Sequence, residues 1–101
     1  MNREQVIKLA IQAQLQKICG DLAGYKVILF GSRASGRARA RSDFDVGIIG
    51  DQPIPLATFY RIDDMLAAID TLYTIDWVDL NRVSPAFRRE AMRTTETLYA
   101  G

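Results

Sequence analysis

Three short strand-like segments, flanked by stretches of helical periodicity, most constrain the fold of this chain. The segments are residues 25–30, 43–49 and 74–80, which are rich in β-branched and aromatic residues and are bounded by turn-forming residues. Such segments predict strands. Helical spacing precedes the first strand and follows the second, and Ser84-Pro85 predicts the cap and first position of another helix. The order α-β-β-α-β-α, with a helical tail, predicts an α/β (α+β) fold with a small mixed β-sheet and helices packed on one face.

The first two helices are predicted from their apolar positions. Asn2 is a cap residue for the first helix, and the second helix extends from Leu56 to Ile69. The apolar positions of the first helix are Ile7, Ile11, Leu15, Ile18 and Leu22.

Length and composition limit the classes of function. A chain of 101 residues, 49% of them hydrophobic, predicts a single domain over residues 1–101 with one modest core. So short a chain leaves no room for a second module to grip an extended substrate, so a partner protein is expected. Thirteen basic and twelve acidic residues give a net charge of +1, which does not indicate direct binding to nucleic acid or to a membrane.

Cysteine and histidine content bears on location and on metal chemistry. A single cysteine, Cys19, cannot form an internal disulfide, and the N-terminus does not have the pattern of a signal peptide, so we expect a cytoplasmic protein. No apolar stretch is long enough to cross a bilayer. With no histidine and only one cysteine, the usual zinc sites are excluded. A metal site would need oxygen ligands, which suit magnesium, manganese or calcium.

The residues that carry chemistry are concentrated between the first and second strands. Gly31 and Ser32 follow the first strand, and glycine there allows the backbone to approach a phosphate while nearby amides and the serine hydroxyl donate hydrogen bonds. Asp43 and Asp45 open the second strand on one face, because side chains alternate along a strand. Adjacent carboxylates repel each other unless cations compensate them, so this pair predicts a hard-metal site. Two metal ions there would stabilise the attacking and leaving oxygens of a nucleotidyl transfer.

A third carboxylate is expected from the strand at residues 74–80, which offers Asp76 and Asp79 on opposite faces. If Ile75 and Trp77 fill the core, Asp76 emerges on the open face beside the first two carboxylates and Asp79 follows the buried side. Asp76 is therefore favoured as the third metal ligand, placed to help deprotonate the attacking hydroxyl. Asp79 remains the alternative.

Arginines in the intervening loop are candidate ligands for phosphate oxygens, because guanidinium groups match phosphate geometry. An exposed basic loop is more often solvated or bound to a partner. Arg33, which is nearest to Ser32, is the candidate chosen for nucleotide binding. The others are Arg37, Arg39 and Arg41.

Taken together, Gly31-Ser32, ten further residues and Asp43-Phe44-Asp45 resemble the signature of the DNA polymerase beta-like nucleotidyltransferase superfamily. The wider run GSRASGRARARSDFDVGI, followed by IDWVDL, is similar to the minimal nucleotidyltransferases (MNT) over nearly the whole chain. The resemblance implies that Gly31 and Ser32 hold the triphosphate. It also implies that Asp43, Asp45 and Asp76 are catalytic and bind Mg²⁺, two ions in all, with Mn²⁺ as a substitute.

The same resemblance implies a function and a partner. Members of this family accompany a small all-helical protein, which is either a HEPN ribonuclease toxin or a helical substrate-binding subunit, and act as antitoxins in toxin-antitoxin pairs. Some transfer AMP to a tyrosine of the toxin, which implies that this chain transfers NMP, chiefly AMP from ATP, to an acceptor hydroxyl such as a toxin tyrosine. We expect this activity here.

Two alternatives remain open. One is a binding module without catalysis that neutralises a helical partner by occlusion. Intact Gly31, Ser32 and the carboxylates argue against it, because docking alone gives no reason to keep repelling charges together. The other is a small-molecule nucleotidyltransferase of the aminoglycoside type, which the short chain disfavours because it offers no second domain to cradle the sugar.

Overall fold

The structure is a computed structural model and describes residues 2–39 and 42–101. Four helices and four strands are present in these ranges, together with a short 3-10 helix at Cys19–Leu22. The helices are α1 (Arg3–Gln16), α2 (Ser32–Ser35), α3 (Leu56–Ala67) and α4 (Pro85–Ala91). The strands are β1 (Tyr25–Phe30), β2 (Phe44–Gly50), β3 (Ile75–Asp79) and β4 (Glu96–Ala100).

All four strands belong to one mixed sheet in the order β3-β2-β1-β4. The inner strand β1 pairs antiparallel with both β2 and β4, whereas β2 pairs parallel with β3. The parallel pair requires a crossover, and α3 supplies it between β2 and β3. The predicted α+β class with a small mixed sheet is therefore confirmed.

Side-chain alternation divides the core between the two faces of the sheet. On one face, Val27 and Leu29 of β1 pack in the larger apolar cluster with residues of α1 and α3. On the opposite face, Ile28 and Phe30 form a smaller cluster that includes Ala91 of α4. The prediction of helices on one face thus holds for the two long helices, while the shorter α4 covers part of the other face.

The prediction of a helical C-terminal tail is wrong. The tail ends as strand β4. Helix α4 stops at Ala91, and residues 96–100 pair with β1 along its free edge. Thr97 and Tyr99 favour extended backbone, and the intervening Leu98 is only 5% exposed. Burial of Leu98 against the sheet outweighs any tendency of this short segment to continue α4.

Local chemistry explains where the helices begin. The Oδ1 atom of Asn2 accepts a hydrogen bond of 2.8 Å from the amide of Gln5, so the predicted cap of α1 is confirmed. Likewise, the Ser84 hydroxyl accepts from the amide of Phe87, and Pro85 occupies the first turn of α4. Within the described ranges, no helix has the length and apolar character needed to span a bilayer.

Candidate active site

The parallel pairing of β2 with β3 places two carboxylates side by side. Asp45 and Asp76 are direct partners in the strand register. Phe44 and Trp77 point to the opposite face, into the larger apolar cluster. Both aspartates therefore lie on the face of the sheet that α1 and α3 do not cover. Asp43 precedes β2 and is exposed beside them.

The electrostatic environment of Asp45 disfavours the state in which Asp43, Asp45 and Asp76 are all ionised. Partial burial, followed by repulsion from Asp76 and then from Asp43, raises the pKa of Asp45 above its ordinary value. A further contribution comes from a hydrogen bond between Asp45 and Asp76, which can form only when one of the two carries a proton. The three carboxylates thus share one electrostatic environment that a cation would relieve.

Gly31 joins the phosphate-binding part of the predicted motif directly to the carboxylates. It has φ 73° and ψ −151°, a backbone conformation that is essentially restricted to glycine. A Cβ atom at this position would collide with Oδ2 of Asp45. Glycine is therefore required both for the sharp turn after β1 and for the close approach of the Asp45 carboxylate.

Ser32 opens the short helix α2 immediately after this turn and is partly exposed. The amide of Ser35 donates to the Gly31 carbonyl, and the amide of Arg37 donates to the Ser32 carbonyl at 2.9 Å. These bonds hold the turn in a compact form. Gly31 lies next to Asp45, and Ser32 follows it directly at the start of α2.

The donor set suits magnesium, since hard divalent cations prefer carboxylate oxygens. Among the described side chains, no group of three or more carboxylate, thiol or imidazole residues is already gathered closely enough to hold an ion. The fit therefore depends on the chemistry of the donors, on the adjacent Asp45 and Asp76, and on the exposed Asp43 next to them.

The strand register places Asp76 and Asp79 in different surroundings. Asp79 is paired with Ile48, faces the buried side and is only 6% exposed. Its Oδ2 accepts a hydrogen bond of 2.9 Å from Nε of Arg82, and its Oδ1 accepts from the amide of Asn81. These contacts stabilise the turn after β3, and Asp76 rather than Asp79 is the residue beside Asp45.

Arg33 is not where a phosphate ligand would be. Its side chain is only 7% exposed, and its guanidinium lies 4.1 Å from the ring centroid of Phe44, on the α1 side of the sheet. It forms an ion pair of 3.1 Å with Glu4 and donates to the Ser42 carbonyl. Because Asp45 points to the opposite face of β2, this arrangement argues against the nucleotide-binding role predicted for Arg33.

The remaining loop arginines differ in position. Arg37 is exposed and lines a cavity, whereas the amide of Arg39 donates to the Ser42 hydroxyl at 2.8 Å and closes the loop on itself. Arg41 lies outside the residues that the structure describes.

A cavity of about 380 Å³ lies on the open face next to Gly31 and Ser32. Its far wall comes from α4 and the following turn, and Asp45 and Asp76 are not part of its lining. Sequence reasoning missed this wall, because only the tertiary packing of α4 brings it opposite the motif. The wall consists of Phe87, Glu90, Ala91, Arg93 and Thr94.

A mixed four-stranded sheet with a glycine-serine turn and adjacent strand aspartates is the arrangement of a polymerase beta-like nucleotidyltransferase. A profile of the family "Polymerase beta, Nucleotidyltransferase" matches residues 7–101. The chain belongs to this family, and the predicted superfamily is confirmed.

One sequence relative is the "Probable protein adenylyltransferase MntA" of Haemophilus influenzae, with 31% identity over 78 residues. The match covers 77% of this chain and 66% of the relative, so the chain spans slightly less than two thirds of that protein's length. This relative agrees with the predicted resemblance to minimal nucleotidyltransferases.

Solved structures show the same fold at lower identity. A toxin-antitoxin structure with AMP-PNP matches with a TM-score of 0.66 and 19% identity, over 93% of this chain and 73% of that chain. A complex of a tri-AMPylated Shewanella oneidensis HEPN toxin with an MNT antitoxin matches with a TM-score of 0.61 and 15% identity, over 94% and 73%. A structure assigned to a minimal nucleotidyltransferase matches over 95% of both chains, with a TM-score of 0.56 and 22% identity.

Proposed function

We propose that this chain is a magnesium-dependent nucleotidyltransferase that transfers AMP from ATP to an acceptor hydroxyl, a tyrosine of a small helical HEPN toxin in the cytoplasm. In this role it acts as the antitoxin of the pair. The observation that carries the proposal is the adjacency of Asp45 and Asp76 beside the Gly31 turn. The kinship with an adenylyltransferase supports the choice of AMP, and the likeness to antitoxin complexes supports the choice of partner.

Each part of the site has a task in this reaction. Gly31 and Ser32 bind the triphosphate, because the turn leaves room for phosphate oxygens and the Ser32 hydroxyl has no hydrogen-bond partner within the described chain that would compete. Asp43, Asp45 and Asp76 hold Mg²⁺. When bound, the ions supply positive charge to the phosphate oxygens and lower the pKa of the acceptor hydroxyl.

The cavity beside the turn fits the nucleotide in size and position. Its volume of about 380 Å³ lies within the range of small-molecule sites. Arg37 and Arg93 line the cavity; Arg93 pairs with Glu90 of the same wall at 3.5 Å, so Arg37 supplies the positive charge next to the place proposed for the triphosphate. The nucleotide would therefore extend from the carboxylates, past Gly31 and Ser32, toward α4.

The proposal can be tested by following transfer of label from α-labelled ATP to the purified HEPN partner in the presence of magnesium. Asp45→Asn is the test variant. Asp64→Asn is a matched control, because it removes the same charge from an exposed position on α3. A partner with its acceptor tyrosine changed to phenylalanine identifies the hydroxyl that is modified.

We expect label on the partner with the wild type and with Asp64→Asn, and none with Asp45→Asn. Transfer that survives Asp45→Asn would contradict the assigned site. Protection from toxicity without any transfer by the wild type would instead identify a binding module that acts by occlusion.

A further inference from the structure

Arg33 follows the phosphate-binding serine directly, yet its side chain is turned to the other face of the sheet. Its guanidinium forms a fork: Nε and Nη2 both donate to the Ser42 carbonyl, at 3.1 and 2.7 Å, and Nη1 donates to Glu4 at 3.1 Å. The group also packs over two neighbouring rings, 4.1 Å from the centroid of Phe44 and 5.0 Å from that of Tyr73. Such contacts fix the side chain in one geometry.

The hydrogen bonds from the Arg33 guanidinium to Ser42 connect the two halves of the site. Arg33 is covalently next to Ser32, and Ser42 is covalently next to Asp43. The bonds from Arg33 to the Ser42 carbonyl therefore span the loop between these halves and set the distance from the serine turn to the first carboxylate. Phe44, against which the guanidinium packs, is the first residue of β2 and immediately precedes Asp45.

The fork itself is anchored to α1 and β4. Glu4 also pairs with Lys8 at 3.3 Å, and Lys8 pairs with Glu96 of β4 at 2.8 Å. Burial opposes the charged form of Glu4, but the hydrogen bonds from Arg33 and Lys8 outweigh it and hold the pKa of Glu4 below its ordinary value. A series of ion pairs thus connects β4, through α1, to the loop between Ser32 and Asp43.

We propose that Arg33 is a positioning residue, which holds the Ser32 turn in register with Asp43 from the face opposite to the reaction. This inference deepens the proposed function and rests on it for its kinetic consequences. Arg33 touches neither nucleotide nor metal in this account. Its effect on catalysis passes through the Ser42 carbonyl and the ring of Phe44.

Arginine is needed because the side chain at position 33 must donate to two acceptors and pack against two rings at once. A lysine at this position keeps the charge that pairs with Glu4, but its ammonium cannot donate in a fixed plane to the Ser42 carbonyl while stacking on Phe44. The conservative substitution should therefore restore stability more than it restores the geometry of the site.

The test compares Arg33→Gln and Arg33→Lys with Arg61→Gln, which removes an exposed arginine that pairs with Asp21 on the surface. The unfolding midpoint of each variant is measured first, and two further properties are then measured at a temperature at which all variants are folded. The first is hydrogen exchange at the amides of Ser42 and Arg37 in the free protein. The second is the KM for ATP and kcat for AMP transfer to the partner.

For Arg33→Gln we expect exchange at Ser42 and Arg37 to accelerate by at least about tenfold, and the KM for ATP to rise by about tenfold or more, since small misplacements in a site are costly. Arg33→Lys should regain most of the unfolding midpoint but keep a raised KM. Arg61→Gln should match the wild type in both properties.

A lower unfolding midpoint with unchanged exchange and unchanged KM would show that Arg33 is merely structural and would overturn the inference. If Arg33→Gln does not fold, the test rests on Arg33→Lys. Exchange rates and a KM for ATP in Arg33→Lys that equal those of the wild type would then overturn the inference. If the wild type transfers no AMP, the proposed function fails, but exchange still decides: acceleration at Ser42 and Arg37 supports the positioning role, and unchanged exchange refutes it.

Discussion

Replacing Gly31 with alanine tests the link between the turn and the carboxylates quantitatively. The backbone of Gly31, at φ 73° and ψ −151°, costs an L-residue about 1 to 3 kcal/mol. The added Cβ would also collide with Oδ2 of Asp45, which must then move. We expect Gly31→Ala to lower the free energy of unfolding by about 2 to 4 kcal/mol, a large part of the stability of a typical domain.

Gly36 provides the matched control for this substitution. It also has a positive φ, of 78°, but with ψ of 10° it is in the ordinary left-handed region, and nothing lies within 4 Å of an added Cβ. Gly36→Ala should cost only about 1 kcal/mol. Urea denaturation of both variants, each alone and combined with Asp45→Ala, measures the difference. The cost of Gly31→Ala should shrink by about 1 kcal/mol in the Asp45→Ala background.

Equal costs for the two glycine variants would refute this reasoning. So would additivity between Gly31→Ala and Asp45→Ala, because the collision would then contribute nothing.

Three further predictions concern the carboxylates, the last strand and the first helix. Asp45→Asn should raise the free energy of unfolding by about 0.5 to 1 kcal/mol at about pH 7 without metal, because it removes a partly buried charge repelled by Asp76. Since folding raises the pKa of Asp45, the gain should vanish near pH 3, where the carboxyl is protonated in both states; an equal gain at both pH values would contradict it. Leu98→Ala should cost about 2 to 4 kcal/mol in urea denaturation, because Leu98 is 5% exposed in the core; a negligible cost would mean that β4 does not close the sheet. Asn2→Ala should cost about 1 kcal/mol through loss of the helix cap, and a hydrogen-exchange measurement should place the change in the first turn of α1.

The part of the site that could be predicted from sequence is the part that follows strand periodicity. Alternation around Phe44 and Trp77 assigns Asp45 and Asp76 to the open face and Asp79 to the buried face. The structure places all three accordingly. The turn at Gly31 was also predictable, because glycine and serine after a short apolar strand leave few other local conformations.

What the sequence could not predict depends on tertiary packing. Proximity to Ser32 indicated a phosphate ligand in Arg33, but the ring of Phe44 and the carboxylate of Glu4 draw it to the opposite face. These partners are distant in sequence or cannot be recognised as partners before the fold is known. Similarly, β4 forms because β1 has a free edge and Leu98 has a place in the core, neither of which local propensity reveals.

The most direct test of the central claim is the paramagnetic effect of Mn²⁺ on the amide NMR spectrum, recorded with a nonhydrolysable ATP analogue. We predict that broadening is strongest at Asp43, Asp45, Asp76, Gly31 and Ser32, that Asp45→Asn abolishes this pattern and that Asp64→Asn leaves it unchanged. Broadening that is strongest elsewhere on the surface, or absent at these five residues, would contradict the claim that divalent ions and nucleotide meet at the paired carboxylates.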